Sequence, residues 1–311
     1  MDLPSPGGPK RCATVTWNAQ EGFMLRFPPK KILVAFDLSG ASRTAWRHAV
    51  ALAEACGAAL EAVYVEPWQM GVDLLPPPPQ TAASQKRLRA KVLSALGADA
   101  KIAILHGDPA PRILSMARRR HADMIVVGTH GRKGFERVLL GSTAEAVIQG
   151  SPVPVLAARG RARAVRSILA PVNFTPHSEY GFTYAAAAAA VLEARVTALH
   201  VSDDPIWSGN VKVRFSRLLR RLPAKIHKHC RLATRASVGE VAKGILRAGR
   251  GQDWIVLVAH KKSPILDAVF ATTLEQVLRR ARIPVLSVPS PVESIFAARS
   301  GHEHEQVVAL R

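Results

Sequence analysis

Met124-Ile125-Val126-Val127-Gly128-Thr129-His130-Gly131, followed after nine residues by Gly141-Ser142-Thr143, places a short apolar run, a glycine-bearing loop and a helix start in succession. An apolar run of this length closed by glycine reads as a buried strand. The same order returns later in the chain. Asp123–Leu156 aligns without a gap on Asp253–Leu286, 34 positions at a constant offset of 130 with ten identities. A period of that length is a duplicated domain and not a solenoid repeat.

Working outward, strands and helices alternate through both copies. Lys31–Phe36, Leu60–Val65, Ala100–His106, Met124–Gly128 and Val153–Ala157 read as five strands of the first repeat. Helices are expected over Ala41–Cys56, Ser84–Leu96 and Pro111–Arg120, and from Ser142. In the second repeat Ser167–Asn173 replaces the first strand, Thr175-Pro176 opens an alanine-rich helix through Glu193, and Val196–Val201 and Trp254–Ala259 are further strands. Apolar strands alternating with helices predict a parallel sheet covered on both faces. The expected organisation is an extension over 1–30, domains over 31–160 and 166–290, and a tail over 291–311. Both repeats end in an apolar edge, Val153-Pro154-Val155-Leu156 and Ile283-Pro284-Val285-Leu286, and are expected to pair there as an intrachain pseudo-dimer, with a homodimer left open.

Composition narrows the class. The chain has 311 residues, 48% hydrophobic and 21% charged, which fits a packed globular protein of two domains. Its mean hydropathy is +0.07, but no apolar stretch approaches the ~18 residues of a membrane helix, so no membrane partner is expected. Cys12, Cys56 and Cys230 stand far apart, without disulfide or zinc spacing, and no secretory leader is visible, so a reducing cytoplasm is the expectation. Net charge is +20, with 20 basic and 12 acidic residues in 1–160 and 23 and 11 in 161–311. Such a field favours anionic partners without naming one. Lys212–Arg235 holds nine basic residues and no acidic one, and is the candidate surface for an anionic or protein partner.

The glycine loop carries the chemistry. Glycines at a strand end let backbone approach a ligand, and Gly141-Ser142 presents N–H groups and a hydroxyl at a helix N-terminus, suited to phosphate. Ser142-Thr143-Ala144-Glu145 also reads as a capping box, matched by Thr272-Thr273-Leu274-Glu275. Gly128, Gly131, Gly134 and Gly141 become Val258, Lys261, Pro264 and Ala271 in the second repeat, and Asn173 replaces Asp37. The cap pattern persists while the glycines do not, which assigns the glycines of the first repeat to a ligand. Asp37 reads equally as a ligand contact or as a helix-capping carboxylate.

Gly128-x-x-Gly131-x9-Gly141-Ser142 after a strand, with Asp37 ending the first strand, resembles the universal stress protein family in its ATP-binding form. The resemblance covers both repeats in tandem. It implies an α/β fold of two tandem doubly wound five-stranded parallel sheets, akin to the adenine nucleotide alpha hydrolases, with nucleotide at the carboxyl ends of the strands. Carried over by position, Ala35, Phe36 and Asp37 would border adenosine, and Val65 would touch adenine through its backbone. Val127, Gly128 and Gly131 would follow the ribose and phosphates, and Gly141, Ser142 and Thr143 would bind the phosphates. The implied cofactor is ATP, alone or with Mg2+, in a stress-response regulator with one site, in the first repeat. The related pyrophosphatase-type ATP enzymes carry Ser-Gly-Gly-x-Asp-Ser after strand one, where this chain has Asp37-Leu38-Ser39-Gly40-Ala41-Ser42. No catalytic constellation is evident, so no enzyme is expected. A non-nucleotide interaction module and a weak ATP hydrolase are the alternatives.

His227-Lys228-His229-Cys230 reads as a strand with two imidazoles on one face, which could ligate a metal, but the flanking cations favour a solvated basic face over a metal site.

Overall fold

The computed structural model describes residues 15–16, 26–67, 81–129, 140–203, 210–259 and 268–290. A two-stranded antiparallel pair, β1 (Val15–Thr16) and β2 (Arg26–Phe27), precedes the first repeat. That repeat runs β3 (Lys31–Phe36), α1 (Gly40–Cys56), β4 (Ala59–Glu66), α2 (Ala82–Leu96), β5 (Lys101–His106), α3 (Pro109–Arg119), β6 (Met124–Gly128), α4 (Ser142–Gly150) and β7 (Val155–Ala158). The second runs β8 (Ser167–Pro171), α5 (Pro176–Val191), β9 (Arg195–Ser202), α6 (Val211–Arg220), α7 (Ala224–His229), β10 (Arg231–Val238), α8 (Val241–Ala248), β11 (Trp254–Ala259), α9 (Ala268–Arg280) and β12 (Val285–Pro289).

The strands form one ten-stranded sheet in the order β10-β9-β8-β11-β12-β7-β6-β3-β4-β5. Each repeat is a parallel five-stranded half, and the halves meet as expected at their last strands. There β7 and β12 pair antiparallel, Ala157 with Val285, Leu156 with Leu286 and Val155 with Ser287. In each half the order reverses beside the first strand, so β3 and β6, like β8 and β11, flank a topological switch point. Both faces are covered, and each buried layer continues across the β7–β12 seam.

Identities between the repeats explain themselves locally. Asp123 Oδ2 accepts from the Lys30 and Lys31 N–H groups at 2.7 and 2.9 Å, and Asp253 Oδ2 from those of Arg166 and Ser167, both at 2.9 Å. One carboxylate thus fixes the entry of the first strand in each repeat. The extension expected over 1–30 reaches into the fold, because Phe27 is buried and packs edge-on against Tyr184. The strand expected at His227–Cys230 is corrected to the end of a helix, with Cys230 as its extended C-cap. His227 and His229 lie in α7, where residues two apart do not share a face, and His227 Nε2 bonds the Leu219 carbonyl at 2.9 Å. The third strand of the second repeat follows it as β10.

Two glycines answer one packing problem. A Cβ on Gly128 would stand 2.6 Å from the Ala41 carbonyl carbon and 2.9 Å from the Ser42 nitrogen, because the first turn of α1 presses on the end of β6. The second repeat carries Val258 at that position and Gly181 on α5, where the first has the fully buried Ala45 (offset 136). A Cβ on Gly181 would run into Val258 Cγ2. The glycine sits on the strand in the first repeat, against the Ala41–Ser42 backbone, and on the helix in the second, one turn further along, against the Val258 side chain.

Gly181→Ala is therefore expected to lower stability by about 1–3 kcal/mol through overpacking, although alanine favours helix. Adding Val258→Ala should recover much of the loss. Urea unfolding midpoints of the single and double variants measure this.

His48, buried on α1, donates from Nε2 to the Arg159 carbonyl at 3.0 Å. Burial lowers its pKa below 6.5, outweighing the carbonyl contacts at Gly160 and Arg159, which raise it. The unfolded chain then binds the extra proton, so stability should fall as pH drops below 6.5 toward the folded pKa. His48→Gln should flatten that part of the acid slope in pH-dependent denaturation.

Candidate functional site

The switch point of the first repeat gathers most of the residues singled out in the sequence. Val34 pairs with Val126, and β3 and β6 run on side by side toward Asp37 and Gly128. Val65 lies at the end of β4, one residue beyond the Phe36–Tyr64 pair. Strand alternation then sorts the side chains. Val65 and Val127 are buried in the layer beneath α3 and α4, and Ala35 packs against that layer. Phe36 points to the opposite face, where its ring is buried with Tyr64 and Val92. Its bulk therefore fills the core under α2, and only its backbone is left to border the crevice.

Beyond β3 the chain turns through Leu38 in the left-handed region, φ 68°. Asp37 Oδ1 accepts the Ser39 N–H at 3.0 Å, and Ser39 is the N-cap of α1, its hydroxyl accepting the Ser42 N–H at 3.1 Å. Capping thus belongs to Ser39, and Asp37 shapes the turn that presents it. The second repeat builds the same turn. Phe174 has φ 60°, Asn173 Oδ1 accepts from the Thr175 N–H and hydroxyl, and Thr175 caps α5. One oxygen suffices for the turn, so Asn and Asp are equivalent there and differ only in the second atom of the group.

At the other side of the crevice, the Gly141 N–H donates to the Thr129 carbonyl at 2.9 Å. This bond closes the excursion between β6 and α4 and holds the start of α4 against the end of β6. Thr129 is buried, and no motif marked it. The second repeat has Ala259 at that position, which is the one signal the sequence offered. Gly131, with His130 and Gly134, lies outside the described residues.

The expected capping box is corrected. Gly141 is the N-cap of α4 with φ −61° and ψ 138°, and among the described residues no side chain caps the helix. Ser142 is the first helical residue and exposed, Thr143 the second and half-buried, and the Glu145 N–H donates to the Gly141 carbonyl at 2.9 Å. Glu145 turns toward Arg279, 3.8 Å away. The leading N–H groups of α4 therefore lack the hydroxyl acceptor that a box would have supplied. That is the condition for receiving an anion at a helix N-terminus.

The second repeat carries larger side chains at the corresponding positions. Val258 projects toward Gly181, and His177, at the position of Ala41, bonds Ser290 Oγ through Nδ1. Helix α9 begins at Ala268, four residues ahead of Thr272, the counterpart of Ser142. That is about one additional turn at 3.6 residues per turn. Thr272 and Glu275 accordingly lie inside the helix, and the second box is corrected with the first. Among the described residues no group of three or more His, Cys, Asp or Glu side chains could hold a metal ion, and no helix is long and apolar enough to cross a membrane.

The universal stress protein family model matches residues 28–159 and 164–289. A universal stress protein of Methanocaldococcus jannaschii is 34% identical over 139 residues, 41% of this chain and 80% of that protein. Another from Thermus aquaticus is 35% identical over 137 residues, 42% of this chain and 98% of its own. The crystal structure of a universal stress protein from Archaeoglobus fulgidus covers 85% of this chain and 99% of its own at a TM-score of 0.63 and 18% identity, a likeness of fold. With both repeats matched and the double five-stranded sheet in place, the chain belongs to the universal stress protein family.

Proposed function

We propose that the first repeat binds one adenine nucleotide, ATP alone or with Mg2+, at its switch point, and that the second repeat binds none. The start of α4 carries this reading. Its N–H groups have no side-chain cap among the described residues, and the Gly141–Thr129 bond holds them beside the ends of β3 and β6. The phosphates would lie at Gly141, Ser142 and Thr143, and adenosine against Ala35, Val65 and the backbone of Phe36, with the second Asp37 oxygen as a polar contact. Gly128 has a packing role of its own, so the ligand argument rests on Gly141 and the open helix end.

The chain acts in this reading as a regulatory nucleotide binder and not as an enzyme, with its working units over 31–160 and 166–290. A second contact with the cell is electrostatic. Lys212 and Arg217 on α6, Lys225 and Lys228 on or beside α7, and Arg231 and Arg235 on β10 are exposed, and none pairs with a carboxylate among the described residues. This edge suits an anionic partner.

Calorimetry with ATP tests the nucleotide reading. The wild type should show about one site per chain. Gly141→Val should abolish binding by placing a branched side chain in phosphate space, and Ala271→Val should leave it unaltered. Ser142→Ala should weaken it by roughly 1–3 kcal/mol, the loss of one charged hydrogen bond. Two equivalent sites, or undiminished binding by Gly141→Val, would refute the assignment.

A further inference from the structure

We infer that Arg279, contributed by the second repeat, is a phosphate-binding residue of the nucleotide site in the first; the inference rests on the reading just proposed. The antiparallel β7–β12 pairing reverses one repeat against the other and brings the last turn of α9 beside the first turn of α4. There Arg279 Nη2 stands 3.8 Å from Glu145 Oε1, within one turn of the α4 N-terminus.

Internal symmetry separates this from ordinary helix-end chemistry. At the offset of 130, Arg279, Arg280 and Arg282 correspond to Gln149, Gly150 and Pro152. The dipole favours a cation at any helix C-terminus, and so favours one equally on both helices. The last turn of α9 carries Arg279 and Arg280, whereas that of α4 carries none. Arginine therefore stands beside the helix that starts at a glycine, and glutamine is its counterpart beside the helix whose start is extended by a turn.

The arginine also has capacity to spare. Its contact with Glu145 exceeds the ~2.7–2.9 Å of a charge-assisted hydrogen bond, and its side chain is 42% exposed, so its Nη groups can take a further acceptor. A phosphate oxygen is an acceptor of the right charge for them. The helix end that carries Arg279 is fixed from the first repeat. Arg159, next after the Ala158 that pairs with Gly128, donates to the carbonyls of Leu278, Arg279 and Ala281. The phosphate-binding strand end and the arginine-bearing helix end are thus held by one side chain.

Titration of the full chain with ATP and, separately, with adenosine tests this. Arg279→Gln, which installs the residue found at 149, is expected to weaken ATP roughly ten- to hundredfold, as one charged bond is lost, and to leave adenosine unchanged. Arg279→Lys, which keeps the charge but loses the guanidinium fork, is expected to weaken ATP only several-fold. If Arg279→Gln does not fold, Arg279→Lys decides, and ATP affinity equal to wild type overturns the inference. Arg279→Gln binding ATP like the wild type overturns it, as does equal loss of ATP and adenosine, which would mark a structural role. A wild-type chain that binds neither ligand overturns the nucleotide reading itself.

Discussion

Three residue pairs across the β7–β12 seam set the architecture. An apolar parallel sheet that ended at Val155–Ala158 would present an unpaired edge, and the second repeat covers it with an identical kind of edge in the opposite direction. The side chains of these strands are buried on both faces, so a one-residue slip would exchange the two sets between different layers. The pairing merges two five-stranded sheets into one. It also decides which helix ends become neighbours, and so places the end of α9 beside the start of α4.

The second organising constraint is the contact of each first helix with its fourth strand. Helix α1 comes so close to β6 that position 128 has no room for a Cβ, whereas β11 carries Val258, whose Cγ2 occupies the space left at Gly181 on α5. Each repeat needs one glycine at this contact, on the strand in the first and on the helix in the second. A glycine that disappears between copies is therefore not by itself evidence for a ligand, because the helix packed on it can make room for a side chain elsewhere along its length. The reasoning retains its force at Gly141. There the two repeats differ in where the helix begins, and not only in which residue stands at the position.

Much of this was legible in the chain. The period of 130, the alternation of strand and helix and the apolar last strands led to the tandem fold and the seam, because each is a local pattern repeated twice. Ends of elements moved by a few residues, as with β7, which begins at Val155 and not Val153, since caps depend on geometry that composition leaves open. Ser142 and Glu145 matched a capping box, yet the Gly141–Thr129 bond set the helix start one residue earlier, and that is a contact between segments. The ring of Phe36 could be placed only by strand parity together with the location of α2. His227 and His229 were misread because a run of alternating polar residues also fits one short helical turn, and Ile226, buried and packed in the core, fixes it as helix.

A duplicated domain frees one copy to change, but the seam limits how. The second repeat must keep β12 and the layers on both faces of it, since the first repeat's edge and core depend on them. Its crevice carries no such obligation, and there the differences concentrate: Val258 for Gly128, Asn173 for Asp37, an extended α9, and His177 tied to Ser290. The end of α9 lies at the junction of these two regimes. It is anchored by Arg159 as part of the shared core, and it presents arginine toward the other repeat's helix start. Divergence at that point changes the surroundings of the first crevice without altering any residue of the first repeat. A repeat whose own crevice has diverged can therefore still shape the charge beside its neighbour's.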